Sequence, residues 1–522
     1  MENNTTRSTR DLTRIPESYW ITSTPDTSYP ALDKDLTADV AIVGGGLVGI
    51  STAFLLKQAG VKVVILEADR IGKGTTGHTT AKITSQHSLI YAHIEQYFGH
   101  EIAQQYADAN QAAIQTVARI VHEQAIDCDF SHRPAYVYTQ AEDYIEKIAK
   151  EAEIAKQLGI KADYLEETPL PFPIKAALRF AEQAQFHPRK YLLALAKLIP
   201  GNGSDIFETT RCVDIEKDDK LPKVITENGH KVSAERIIIA THFPFYDGLG
   251  LYFTRIYQER SHVLAIRMRD SFPEGMFISA ESPTRSLRSQ KYDDGELILV
   301  GGEHYKTGQG ENIINHYNNL RDFALTTFDV EDILYRWSTQ DCQTVDKLPY
   351  VGHLTANTVN LYVATGFGKW GMTNSTVSAM LLRDLIVKGE SPWQDAYNPS
   401  RVTITASAPE FVKQNANVAV NYISGKLAIL PVEPEIKVGE GRKIATDGKI
   451  AGAYRDEAGK LYLVDTTCTH LGCEVSWNDA EKTWDCPCHG SRFSYKGDVL
   501  EGPTHKPLNK IDQAPNDPEP NL

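Results

Sequence analysis

From Asp39 to Val43 the chain runs apolar, then passes into Gly44-Gly45-Gly46-Leu47-Val48-Gly49. Between Ile50 and Ala59 apolar positions recur at helical spacing, and Lys62-Val63-Val64-Ile65-Leu66 forms a second apolar run that ends at Glu67. The pattern predicts a strand, a glycine turn, a helix and a second strand. Much later, Ser391 to Ser400 gathers turn formers, and Ala408 to Leu427 mixes polar and apolar positions with a helical period. Pro431 and Pro434 then restart extended chain, so this helix reads as a bridge between two folded parts. It suits either interdomain packing or a membrane surface, and the sparse Lys and Arg on its face favour packing.

The 522 residues leave room for about three domain equivalents. A content of 41% hydrophobic and 23% charged residues is the balance of an ordinary globular chain. The formal net charge of −14 is spread along the sequence, which argues against a nucleic-acid partner. Met1 to Arg14 is polar, and no apolar run reaches the roughly 18 residues of a membrane span. A cytoplasmic protein with no transmembrane segment is expected. Of seven cysteines, Cys128, Cys212 and Cys342 are scattered and read as reduced thiols, while four crowd into two short segments.

The glycine turn has a chemical reading. Gly44 and Gly46 let backbone N–H groups approach a pyrophosphate at the helix N-terminus, and Gly49 permits close helix–strand packing. Glu67, at the end of the second strand, is placed to bind ribose hydroxyls. A nucleotide cofactor follows. No second strand, glycine turn and helix of this kind occurs, so a built-in NAD(P)H site is not supported.

The crowded cysteines stand in Cys468-Thr469-His470-Leu471-Gly472-Cys473 and Cys486-Pro487-Cys488-His489-Gly490-Ser491. Cys and His at such spacing suit tetrahedral zinc, or a [2Fe-2S] centre in which two thiolates hold one iron and two imidazoles the other. Zinc leaves the second cysteine of each loop unexplained. The segment from about Glu435 to Leu508, with Lys460-Leu461-Tyr462-Leu463-Val464, Gly502-Pro503 and Pro507-Leu508, resembles Rieske proteins of the cytochrome bc type. The resemblance implies a Rieske [2Fe-2S] cluster held by Cys468, His470, Cys486 and His489, a Cys473–Cys488 disulfide, and a Ser491 hydrogen bond to a cluster sulfur that raises the potential. Phe493 stands where high-potential members carry tyrosine, which removes one hydroxyl donor.

Residues 36 to 390 resemble the D-amino-acid oxidase, glycine oxidase and glutamylputrescine oxidase superfamily. The likeness rests on Ile71-Gly72-Lys73-Gly74-Thr75-Thr76-Gly77-His78-Thr79-Thr80, on Val232 to His242, and on Leu361-Tyr362-Val363-Ala364-Thr365-Gly366-Phe367-Gly368-Lys369-Trp370-Gly371-Met372. It implies FAD, with Thr75, Thr76, His78 and Thr79 on the wrapping loop. Val213, Ala240 and Thr241 would lie on the adenine side, and Gly366, Gly371 and Met372 at the turn over the isoalloxazine. A helix starting near Met372 would aim its positive end at the flavin N1–C2=O edge, and Lys369 either adds a charge there or is a solvated surface lysine. His78 is either a covalent flavin anchor, as in dimethylglycine dehydrogenase-like relatives, or a hydrogen-bonding ligand.

The fold expected is an α/β FAD-binding Rossmann-type domain with an inserted antiparallel-sheet substrate domain, followed by a small all-β Rieske domain. The boundaries read as an extension (1–35), the oxidoreductase (36–395), a helical linker (396–430), the Rieske domain (431–512) and a tail (513–522). The inserted sheet would span about Asp127 to Gln185 and Tyr252 to Thr307. In the strand pair Ser286–Gln290 and Glu296–Gly302, Arg288 is the candidate clamp for a substrate carboxylate, with a surface arginine as the plain alternative. His242 is a further catalytic candidate, with Tyr257 and His262 behind it. The function that follows is oxidation of a small amine or N-substituted amino acid, with electrons passing from flavin to cluster and on to an external acceptor. Two other readings stay open: a donor that feeds the cluster so that flavin reduces or oxygenates a substrate, and a redox sensor or carrier without turnover. No Asp-x-x-His-x4-His site for mononuclear iron is present, which argues against a Rieske oxygenase. A homo-oligomer is left open.

Overall fold

The computed structural model describes residues 12, 15–218, 220–426, 435–446 and 449–511. The tail 513–522, Pro431, Pro434 and nearly all of Met1 to Arg14 lie outside the described residues.

The apolar run seen first becomes β1 (Leu36–Val43), buried along its C-terminal half because neighbours cover both its faces. It pairs in parallel with β2 (Val63–Leu66) on one side and β3 (Lys231–Ile239) on the other. Strand Leu361–Thr365 continues the sheet in parallel beyond β3, and Asp205–Phe207 does so beyond β2. Helix α1 (Leu47–Gln58) crosses over from β1 to β2, and its residues Leu47 to Leu56 are all buried. It packs against α2 (Gly371–Val387), itself buried over most of its length. Two such helices, buried nearly all round, mark the inside of a layered α/β domain.

The second sheet has nine strands among the described residues. Its centre is β4 (Ile256–Met268), β5 (Arg285–Tyr292) and β6 (Gly295–Lys306), with β6 antiparallel to both of the others. The sheet reaches further than the expected spans. It gains Lys82–Ile83 at one edge and β7 (Val330–Thr344) at the other, the latter antiparallel to β4 along almost its whole length. One pair, Ser131–Thr139 with Met276–Ser279, is parallel.

Helix α3 (Ile404–Lys426) occupies the bridge and begins four residues before the expected Ala408, so Pro409 lies inside it. Asn417 on α3 accepts from Lys306 Nζ at 2.6 Å and from Gln309 Nε2 at 2.7 Å, and Lys426 forms an ion pair with Glu474. It thus packs between the domains. Beyond it lie two small antiparallel sheets, one of three strands (Gly441–Thr446, Lys449–Arg455, Leu461–Asp465) and one of four ending in Arg492–Ser494 and Val499–Glu501. No helix among the described residues is long and apolar enough to cross a membrane.

Candidate active site

The β1–α1 turn shows why its glycines are needed. Gly44 sits at φ +112°, and a Cβ there would meet Ala240 O at 2.5 Å. A Cβ on Gly49 would stand 2.0 Å from Gly44 O, so the helix reaches the strand only without one. Glu67 accepts from Gly45 N at 2.7 Å and Asp69 N at 2.9 Å. Burial raises its pKa, and those two N–H groups pull against the rise.

These groups open onto a cavity of ≈360 Å³. Gly44, Gly46 and Glu67 line it together with Thr75, Thr76 and Thr79, and with Ala240 and Thr241. Thr76 also accepts from Leu47 N at 3.1 Å, which ties the wrapping loop to the start of α1. Gly371 and Met372, where α2 begins, line it too. A buried carboxylate beside a glycine cradle, with the N-termini of α1 and α2 on the cavity, fits a dinucleotide that is anionic at its middle and at its reduced ring. Four expected cofactor residues do not line the cavity: Gly49 and Gly366 lie behind it, Val213 is one residue past the lining Cys212, and His78 turns Nδ1 to Gly74 O at 2.9 Å.

On the substrate side His242, His262 and Lys369 line the cavity. His242, at φ +66°, places Nε2 2.9 Å from Gln340 O. Lys369 is ion-paired with Glu259 at 2.8 Å, so its charge is partly compensated. Arg288 is corrected on both readings: it is neither at the surface nor on the cavity. It is fully buried, donates to Ala81 O at 2.7 Å and to Gln290 Oε1, and lies over the Trp20 ring. It shares a strand face with Ser286, which reaches the cavity with Lys82 hydrogen-bonded to its hydroxyl, but it lies two residues further along β5, where Ala81, Phe186 and Trp20 cover it. Tyr257 does not line the cavity either. Lys82, on the short edge strand, was missed by sequence reasoning. Burial and the Arg288 charge lower its pKa to about 7. Asp341 and His304 line the same space, the acid pushed up by burial and the imidazole pushed well down by burial and the Lys369 charge.

The two Cys/His loops meet in the Rieske-like part. Cys468 and Cys486 are hydrogen-bonded sulfur to sulfur, and the His470 and His489 rings stand 5.0 Å apart at 87°. Both Nδ1 atoms are buried without a partner, as nitrogens that ligate iron require. The four side chains thus fit a [2Fe-2S] cluster. Cys473 and Cys488 are joined in a disulfide, and the Ser491 hydroxyl reaches the Cys468 sulfur while accepting from Thr504 N at 3.3 Å. Phe493, fully buried, packs in the same cluster of side chains.

The two sites share a wall. Residues 500–505, from the strand end and turn that include Gly502-Pro503, line the nucleotide cavity. Gln340 Nε2 donates to Gly490 O at 2.9 Å, Gln309 Nε2 to Pro487 O at 3.1 Å, and a Cβ on Gly490 would meet Gln258 Cγ at 2.7 Å. Arg260, 1% exposed, pairs with Glu481 at 2.9 Å. Arg492 pairs with Glu481, Asp485 and Glu501.

The FAD dependent oxidoreductase family model matches residues 39–385, and the Rieske [2Fe-2S] domain model residues 428–512. The chain is 48% identical over 498 residues to the "Putative Rieske 2Fe-2S iron-sulfur protein YhfW" of Bacillus subtilis (strain 168), covering 95% of this chain and 98% of that one. It is 24% identical over 417 residues to the gamma-glutamylputrescine oxidoreductase of Escherichia coli (strain K12), covering 74% of this chain and 92% of that one. The glycine oxidase structure from Geobacillus kaustophilus superposes with a TM-score of 0.59 at 18% identity, over 70% of this chain and 99% of that one, a likeness of fold alone. The glycine cradle with Glu67, the paired Cys/His loops and these matches agree: the chain belongs to the FAD dependent oxidoreductase family and carries a Rieske [2Fe-2S] domain.

Proposed function

We propose that the protein oxidises a small amine or N-substituted amino acid, FAD taking the hydride and the Rieske cluster passing the electrons singly to an external acceptor. The observation that carries this reading is the shared wall: residues 500–505 of the Rieske part line the cavity that Glu67 and the start of α2 define. His470 lies in the field of His505, which is on that wall.

The cavity residues suit a neutral amine. Lys82, with its pKa lowered to about 7, and Lys369, paired with Glu259, line it, and what positive charge they keep disfavours a bound ammonium. Burial holds His262 and His304 uncharged, so they add no further positive charge. Orientation by these walls and exclusion of water are the contributions expected of the protein, since no single side chain stands out as a dedicated base.

The test is anaerobic mixing of the holoprotein with amines and N-methyl amino acids while flavin absorbance and the cluster's electron-spin signal are followed together. Flavin bleaching followed by a rise of the cluster signal is the expected result. If no amine bleaches flavin, and an outside donor instead reduces the cluster first and flavin second, the reading is overturned and the current runs the other way.

A further inference from the structure

Gln340 touches both redox sites. It stands on β7, is 3% exposed and lines the nucleotide cavity. Its backbone carbonyl accepts from His242 Nε2 at 2.9 Å and from Thr75 Oγ1 at 3.4 Å, and both of those residues line the same cavity. Its side chain reaches the other way. Oε1 accepts from Thr307 Oγ1 at 2.8 Å, which leaves the amide NH2 for the Rieske part, where Nε2 donates to Gly490 O at 2.9 Å. Gly490 directly follows His489, one of the four side chains that fit the cluster, and its N–H donates to the carbonyl of another, Cys486, at 3.1 Å. The backbone at Gly490, at φ +74°, is pressed close to Gln258. Gln309 offers a matched contrast, since it donates the same kind of bond to Pro487 O at 3.1 Å in the same loop but does not line the cavity.

We propose that Gln340 is a positioning residue that registers the second cluster loop on the wall of the FAD cavity, so that electrons cross between flavin and cluster within one chain. The inference rests on the reading that flavin hands electrons to the cluster. Electronic coupling falls steeply across empty space and far less along bonds. Here a single hydrogen bond and a single residue link a side chain on the cavity to His489, and burial keeps water from competing for that bond. Each crossing carries one electron from reduced flavin to a ferric iron, which becomes ferrous. Over two crossings, the second after the outside acceptor has cleared the cluster, one proton passes from the flavin to solvent.

The test uses the full chain and no amine. With the cluster reduced by dithionite, protein prepared with FAD and without it should differ in the cluster's electron-spin spectrum. The difference should persist in Gln309→Met and vanish in Gln340→Met. In the loaded protein, a light flash with 5-deazaflavin and oxalate reduces the flavin, and electrons should then reach the cluster at a rate independent of protein concentration. Gln340→Met should slow this by roughly tenfold or more, as a misplaced partner does, while Gln309→Met stays at the wild-type rate. Gln340→Glu keeps the shape and the Thr307 bond but donates to Gly490 O only when protonated, so its rate should recover on acidification relative to the wild type. If Gln340→Met does not fold, that recovery or its absence decides the matter. An equal spectral difference in Gln340→Met, or none in the wild type, overturns the proposal. So does a wild-type rate in Gln340→Met, equal slowing in Gln309→Met, or a rate that grows with protein concentration. If the expected results hold and no amine bleaches the flavin, Gln340 keeps its role and the amine-oxidising reading falls; if amines bleach it and Gln340→Met matches the wild type, the reverse holds.

Discussion

Glu67 receives two backbone N–H groups and still faces the cavity, so its carboxylate both fixes the β1–α1 turn and is available to a ribose. Hydrogen bonds to a charged group contribute about 1.5–3 kcal/mol, so Glu67→Gln should weaken FAD binding by about 10- to 100-fold. Fluorescence titration of the apoprotein measures this, and an unchanged Kd removes the ribose role. Lys82 makes a second prediction. Its pKa is about 7 in the fold, through burial and the Arg288 charge, against about 10.4 in an unfolded chain. Between those values the unfolded chain holds more protons, so this lysine's contribution to stability is least favourable below pH 7 and improves as pH rises toward about 10. Thermal melting against pH should show that rise flattened in Lys82→Met; an identical slope overturns the assignment. Glu67 was legible because it follows a glycine turn by a fixed short distance. Lys82 was missed and Arg288 misplaced because how far along a strand the cavity extends, and which distant segments cover the rest, is set by the packing of Trp20, Ala81 and Phe186 rather than by local sequence.

At the scale of elements, the β1–α1 crossing has almost no tolerance. A Cβ on Gly49 would stand 2.0 Å from Gly44 O and 3.3 Å from Ile42 Cγ2. Gly49→Ala should cost about 1–3 kcal/mol through forced separation of helix and strand, and should lower the flavin content of the purified protein. Melting temperature and bound-flavin absorbance check both, and a variant equal to the wild type in each rejects the close-packing account. Strand β7 is the opposite case, an element that period-2 reading does not reveal. Arg336, Trp337, Ser338, Gln340, Asp341 and Cys342 are all buried along it. Polar residues are buried there because Gln340 and Asp341 line the nucleotide cavity while Arg260 and Glu481 close on Ser338 across the interface. With both faces covered, partly by polar partners and partly by the cores that take Trp337 and Cys342, no alternation survives in the sequence.

Across the whole molecule, a buried ion network fastens the Rieske domain to the second sheet. Glu481 would be raised by burial alone, yet Arg260 and Arg492 outweigh that and hold it far below the usual carboxylate range; Glu501 is lowered in the same way, by Arg492 and then Arg260. A depressed carboxylate pKa contributes stability that is full above the unfolded value of about 4.3 and is lost as pH falls below it. Arg260→Met leaves Glu481 and Glu501 short of a partner and should cost about 3 kcal/mol at neutral pH, with a weaker loss on acidification than the wild type shows. Melting at pH 3 to 7 checks both; no cost at pH 7 shows that the network does not hold the domains. By itself the sequence determined the parts whose chemistry requires neighbours along the chain: the glycine turn with Glu67, and the two loops that bring Cys and His to one cluster. Tertiary structure alone decided that residues 500–505 wall the nucleotide cavity, that Gln340 reaches Gly490, and that Arg288 is buried off that cavity. Those contacts join residues far apart in the chain, and contacts of that kind are set by how whole sheets pack rather than by any local period.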